Sequence, residues 1–255
     1  MRTRSRSLAA WNMGACAVWL AACQHDAGDL IAPQASVYTV EQHLAVDLRY
    51  GSHTYDISSD YTDAFGTVFK IDTFRVLLSG VHAVNDDGDV LADYPSAYLL
   101  VDAAAASNDF TLGELTSDHL HEIRFSIGLV PSMNHTPPSE APPPMSTGAM
   151  FSGSTATGYC LLVIAGRVDS NGDGAIDNTD QPFSYHCAGD DLFCTSAASV
   201  HANLPEGGVL VAWLPVDMEI LLDDIDFLNT PSASGNGPFQ AQLMEQLMNA
   251  LEQEH

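Results

Sequence analysis

Alternation with a period of two restricts this chain more than any other feature. In Leu44-Ala45-Val46-Asp47-Leu48-Arg49-Tyr50 apolar and polar side chains alternate, and His119–Leu129 (HLHEIRFSIGL) repeats the pattern. Successive side chains of an extended backbone point to opposite faces, so such runs bury one face and wet the other. Val68–Ala83 (VFKIDTFRVLLSGVHA) predicts one long strand, or two joined by a kink. Asn85-Asp86-Asp87-Gly88 predicts a hairpin turn after it, since Asp-Gly suits backbone at positive φ. Val90-Leu91 and Ala97–Val101 continue the pattern, and Thr111-Leu112-Gly113 reads as a short strand or turn. Tyr159–Ala165 reads as a buried strand, and Val209–Leu222 as one or two more, with Pro215 marking an edge or a bulge. Only Gln240–Glu252 has sustained helical spacing: Leu243, Leu247 and Leu251 recur at i, i+4 and i+8, and Pro238 suits a first helical turn. The expected fold is mainly β: an antiparallel β-sandwich with long loops and a C-terminal helix over about 239–252.

The hydrophobic share of 46% allows a full core. Charge is unbalanced, with 33 acids against 8 bases. From Cys23 onward only Arg49, Lys70, Arg75, Arg124 and Arg167 are basic. Such a body repels nucleic acid phosphates, which excludes that class of partner, and suits divalent cations or screening salt. The N-terminus differs: Arg2, Arg4 and Arg6 precede a mostly apolar Leu8–Ala22, and no acid occurs before Asp26. This is the form of an export signal over 1–22, too short and too early for a stable membrane span. Leu20-Ala21-Ala22-Cys23 is similar to a bacterial lipoprotein cleavage site, which implies lipidation of Cys23 and membrane attachment through that anchor alone. An ordinary secretory signal cut elsewhere is the other reading, and both export the protein. Gln24 after the cysteine implies the outer membrane, facing the periplasm or the cell surface. A tether over 23–36 and one domain over 37–255 follow. Cys187 and Cys194, in HCAGDDLFC, are a natural disulfide pair in an oxidising compartment, and Cys160 reads as a buried free thiol.

The loop DSNGDGAIDNTD (169–180) carries a calcium pattern. Asp169, Asn171, Asp173, Asp177 and Asp180 occupy positions one, three, five, nine and twelve of a twelve-residue loop. Gly174 stands at the sixth, where the backbone turns sharply, and Ala175 offers its carbonyl at the seventh. A hard cation needs oxygen donors wrapped around it at this spacing. Asp at the last position has a shorter reach than Glu, and no flanking helices are evident. The reading is a structural calcium loop inserted between strands.

Of the histidines, His43, His53, His82 and His201 are isolated. His119 and His121 share a strand face and form a chelating pair or, more simply, part of a solvated face. His135 begins a long loop after an apolar strand, and His186 ends Phe183-Ser184-Tyr185-His186. The nucleophile elbow G-x-S-x-G, the zinc motif H-E-x-x-H and phosphate-binding glycine loops are absent, so no enzyme activity is expected.

GLVPSMNH (128–135), a proline-rich loop, Met150-Phe151, Gly158-Tyr159 before an apolar strand, and Phe183-Ser184-Tyr185-His186 resemble the MbnP-like copper-binding proteins. These are periplasmic or lipid-anchored β-proteins associated with methanobactin gene clusters and metallo-mystery pair systems. The resemblance extends through 61–90, 121–128, 214–227 and the C-terminal helix. It implies copper held by His135 and His186, with Met133, Met145 or Met150 as soft donors, and a di-haem cytochrome c peroxidase-like partner that oxidises a nearby tryptophan to kynurenine. The chain departs from the family pattern M-F-W-x-W, because Ser152 and Ser154 stand where the tryptophans belong, and the one tryptophan left after removal of the signal, Trp213, lies in a strand that reads as core. Two functions follow: an exported copper-binding lipoprotein, or a calcium-stabilised structural or binding lipoprotein that has lost copper.

Overall fold

The computed structural model describes residues 36–251. The signal over 1–22, Cys23 and the tether up to residue 35 lie outside the described residues. The strands are β1 (Tyr38–Tyr50), β2 (His53–Thr54), β3 (Tyr61–Thr62), β4 (Val68–Val84), β5 (Val90–Tyr94), β6 (Leu99–Asp102), β7 (Asp109–Ser117) and β8 (His119–Ile127). A single helical turn, α1 (Pro131–Asn134), precedes β9 (Cys160–Val168), β10 (Gln181–Ala188), β11 (Cys194–Asn203) and β12 (Val209–Asp217). The turn α2 (Met218–Leu221), β13 (Ser232–Gly235) and the helix α3 (Pro238–Leu251) complete the order.

Two sheets face each other as a sandwich, as the alternation predicts. In the smaller, β1 is central, with β12 parallel on one edge and β7 and β2 antiparallel on the other. Pro215 lies on β12, which pairs with β1 alone, so the missing N–H faces no neighbour. The larger sheet runs β11-β8-β4-β9-β10-β13. Its pairings are antiparallel except β10 with β13. The helix α3 fills the mouth of the sandwich. Its Leu247 and Leu251 meet Val46 and Leu214 of the smaller sheet and Phe74 and Val76 of the larger.

The long strand β4 organises the rest. Along one edge it pairs first with β9 (Phe69–Val76) and then with β8 (Leu78–Val84). The opposite edge takes β3, β6 and β5 in turn. Leu77 therefore sits at a fork, where one neighbouring strand ends and another begins. Residues 128–159 are the excursion between those two neighbours, and they emerge at that fork.

Three expectations change. The second half of 209–222 is not a strand: Asp217 accepts from the Glu219 N–H and caps α2. Trp213 does not lie in the core. Ala212, Leu214 and Val216 take the inward positions of β12, so Trp213 points outward and is 63% exposed. The Cys187–Cys194 disulfide is not made, and both thiols are free. The Cys187 sulfur lies against the Gln240 carbonyl and that of Cys194 against the Met248 sulfur. These contacts sit two turns apart on α3, so the two side chains diverge.

Candidate functional site

The excursion starts at Gly128, whose N–H donates to the Leu77 carbonyl at 2.7 Å. Its φ is +95°, and a Cβ there would lie 2.6 Å from the Leu161 side chain, so only glycine passes this point. Pro131 then opens α1, which ends at Asn134, and the proline-rich segment leads to a 3-10 turn at Met145–Thr147. The chain returns through a bridge of Phe151 with Tyr159. This path encloses a second apolar cluster, separate from the main core, in which Leu77, Leu129, Met145, Met150, Tyr159 and Cys160 are buried. Met133 packs on its side.

Asn134 fastens the excursion to its surroundings. Its side-chain oxygen accepts the Tyr159 N–H at 2.8 Å, and its amide donates to Asp190 Oδ1 at 2.7 Å. Gly158 leaves room for this, since a Cβ there would lie 2.5 Å from the Asn134 oxygen. His135 lies next to it. Its Nε2 is 3.0 Å from Asp190 Oδ2 and its Nδ1 2.6 Å from the Thr155 carbonyl. Both partners are acceptors, an arrangement that favours protons on both ring nitrogens. The Asp190 carboxylate, with the Thr155 carbonyl, holds the His135 pKa above its usual value. The Asn134 amide and then His135 hold that of Asp190 below its own.

His186 belongs to a different neighbourhood. Its Nδ1 is 3.9 Å from Cys160 Sγ and its Nε2 3.0 Å from Ser184 Oγ. Burial pushes the Cys160 thiol up to about 11, so it is protonated near neutrality. Tyr159, 1% exposed, buries a hydroxyl that has no partner in the same cluster as Cys160. The structure thus does not join His135 and His186 as a ready pair. Their partners differ, and among the described residues no third ligating side chain gathers them. Asp190 and Cys160 are the residues that the sequence reading did not place here. Asp190 is hidden in the stretch read as a disulfide loop, and Cys160 in an apolar run. Ser152 and Ser154 form an exposed turn, with Ser152 Oγ donating to the Ser154 carbonyl at 3.3 Å.

The loop over 169–180 is wound by its own side chains. Asp169, buried, accepts from the N–H groups of Gly172 (2.7 Å) and Gly174 (2.8 Å). Asn171 accepts from Asp173 N–H (2.8 Å), and Asp173 from Ala175 N–H (3.0 Å). Asp180, also buried, reaches back to accept from Asp177 and Ser170. Backbone donors hold the Asp169 pKa below its usual value, Gly174 above all, and Thr179 does the same for Asp177. Oxygen donors from positions one, three, five and twelve therefore line a loop wound around them, although no three of its carboxylates stand within 4.8 Å of one another.

Elsewhere the structure gathers His201, which looked isolated, with two residues distant in sequence. Asp86, His121 and His201 bring ligating atoms within 4.8 Å of each other. His119 and His121 are both part-exposed on β8, and Leu120 between them is buried in the core with Ile123, Phe125 and Ile127.

Compared with known proteins, the chain is similar over 79% of its length to MbnP from Methylosinus trichosporium, with 82% of that chain covered, 13% identity and a TM-score of 0.49. No curated protein matches it. The MbnP family model matches residues 39–237, which spans both sheets and the excursion between β8 and β9, so this chain belongs to the MbnP family.

Proposed function

We propose that this protein is an exported, lipid-anchored binding protein that holds copper in the periplasmic space or at the cell surface and has no catalytic role of its own. Family membership over 39–237 supports a related function. The basic leader and Leu20-Ala21-Ala22-Cys23 support export and anchoring. The observation that carries the copper reading is the approach of His186 Nδ1 to Cys160 Sγ, beside the methionine-lined cluster and the unpartnered Tyr159 hydroxyl. Imidazole nitrogen with thiol and thioether sulfur is a donor set suited to copper, above all the reduced ion. Cys160 gives up a proton on ligation, and His135 becomes a donor only by releasing the proton held toward Asp190. Copper bound here would supply a redox-active or sequestered ion. The protein's own residues position it and exclude water. Oxidation of a tryptophan by a di-haem partner has no substrate in the usual place, because Ser152 and Ser154 occupy it.

Copper titration with metal analysis tests this reading on the full chain and on His186→Ala, Cys160→Ser and His135→Ala. Titrated as Cu⁺ under reductant, one equivalent is expected, lost in His186→Ala and weakened in the other two. A chain that takes up no Cu⁺, or that binds it equally after His135 and His186 are both replaced, removes the reading. The second reading, a calcium-stabilised binding lipoprotein, is favoured by the winding of residues 169–180 around their acidic side chains.

A further inference from the structure

The far end of β8 carries a cluster that neither the copper nor the calcium reading uses. Three elements build it. His119 and His121 lie two apart on β8, Asp86 sits at the tip of the hairpin between β4 and β5, and His201 comes from β11. The register of β11 against β8 shifts between Ser199 and Ala202, so two residues bulge opposite His121. His201 lies in that bulge with φ at +45°, left-handed backbone that is uncommon outside glycine. The bulge turns its ring onto His121, edge to face, with ring centres 4.2 Å apart.

Asp86 holds the two β8 rings from above. Its Oδ1 is 3.0 Å from His121 Nδ1 and its Oδ2 3.6 Å from His119 Nε2. His119 Nδ1 is 3.1 Å from the Asn203 side-chain oxygen. An amide oxygen only accepts, so Nδ1 donates to Asn203, which leaves Nε2, on the Asp86 side, as the nitrogen available to an ion. This is the arrangement in which an outer hydrogen bond fixes the tautomer of a ligating histidine.

We propose that Asp86, His121 and His201, with His119 as a fourth donor, form a surface site for a divalent transition ion, zinc or oxidised copper. Their ligating atoms, one each from Asp86, His121 and His201, already lie within 4.8 Å of each other. Imidazole with one carboxylate suits those ions, whereas calcium and magnesium take oxygen donors. The bulge sets the His201 imidazole against those of His121 and His119, with ring centres 4.2 and 6.5 Å away. The site stands apart from His135, His186 and the loop over 169–180, so it holds or fails independently of both readings above.

The test uses the full chain after metal removal, titrated with zinc and separately with Cu²⁺ against a competing chromophoric chelator. The variants are His121→Gln, His201→Asn and His119→Gln. Asn tolerates positive φ, so His201→Asn removes the imidazole and keeps the bulge. Unchanged circular dichroism and urea midpoint report that each variant is folded. One zinc equivalent is expected, weakened on the order of 100-fold in His121→Gln and His201→Asn and about tenfold in His119→Gln. Replacing His135 and His186 together leaves this zinc equivalent in place. The proposal is overturned if the folded variants bind zinc and Cu²⁺ as the parent does, or if the parent binds neither at micromolar concentration.

Discussion

At the scale of single residues, Asn134 ties the excursion together more directly than either candidate histidine. It is 1% exposed and joins α1, the start of β9 and Asp190 through two hydrogen bonds. Asn134→Ala leaves the Tyr159 N–H buried without an acceptor, a loss of about 1–3 kcal/mol, to be read from urea unfolding. A loss below about 0.5 kcal/mol would mean that water or a neighbour satisfies the amide instead. The motif Asn134-His135 was legible in the sequence, because it ends an apolar strand and opens a proline-rich loop. Its partner Asp190 was not. Nothing in Gly189-Asp190-Asp191 distinguishes an acid that orients a histidine from one that solvates a loop, and the contact spans 55 positions. His201 was legible still less, since a register shift in the pairing of two strands leaves no mark on composition.

At the scale of elements, period-two alternation found β1, β4 and β8, and leucine spacing found α3 almost to the residue. β10 and β11, which directly follow the acidic loop, are not expected as strands, because they are short of long aliphatic side chains. The predicted helix does what its spacing implies. Leu247 is 1% exposed between the sheets, so Leu247→Ala is expected to cost about 2–5 kcal/mol by urea unfolding. A cost below about 1 kcal/mol would show that α3 covers the mouth without being gripped by it. The acidic loop allows a separate test. Calcium is expected to raise the thermal midpoint of the full chain. The rise should shrink in Asp173→Asn, which keeps an acceptor for the Ala175 N–H and drops one negative charge. An equal rise in the variant would place calcium elsewhere on this acidic surface.

At the scale of the whole molecule, a formal charge of −25 makes the folded state sensitive to salt, and buried weak acids make it sensitive to alkali. Burial pushes Cys160 up to about 11, and Tyr50, Tyr94 and Cys187 up to about 12. In the unfolded chain these groups ionise near about 8.5 for thiols and about 10 for phenols. Between those values and the raised ones the folded state binds more protons, so stability falls as pH rises. The urea midpoint is therefore expected to decline from about pH 9 toward pH 12. A flat profile through pH 11 would mean that these groups ionise without unfolding. The fork at Leu77 has a consequence of its own. Residues 128–159 pair with strands of the larger sheet only where they leave and rejoin it, and otherwise rest on the Asp190 contacts and the second apolar cluster, so they can open as a local unit while β4 keeps both β8 and β9. Amide hydrogen exchange should divide accordingly: protons of Phe74 and Val76 on β4 exchange only through global unfolding, whereas those of Gly148 and Phe151 exchange through a smaller, faster opening. An ion seated against Cys160 would then reach its site by that local opening, with the sandwich intact around it.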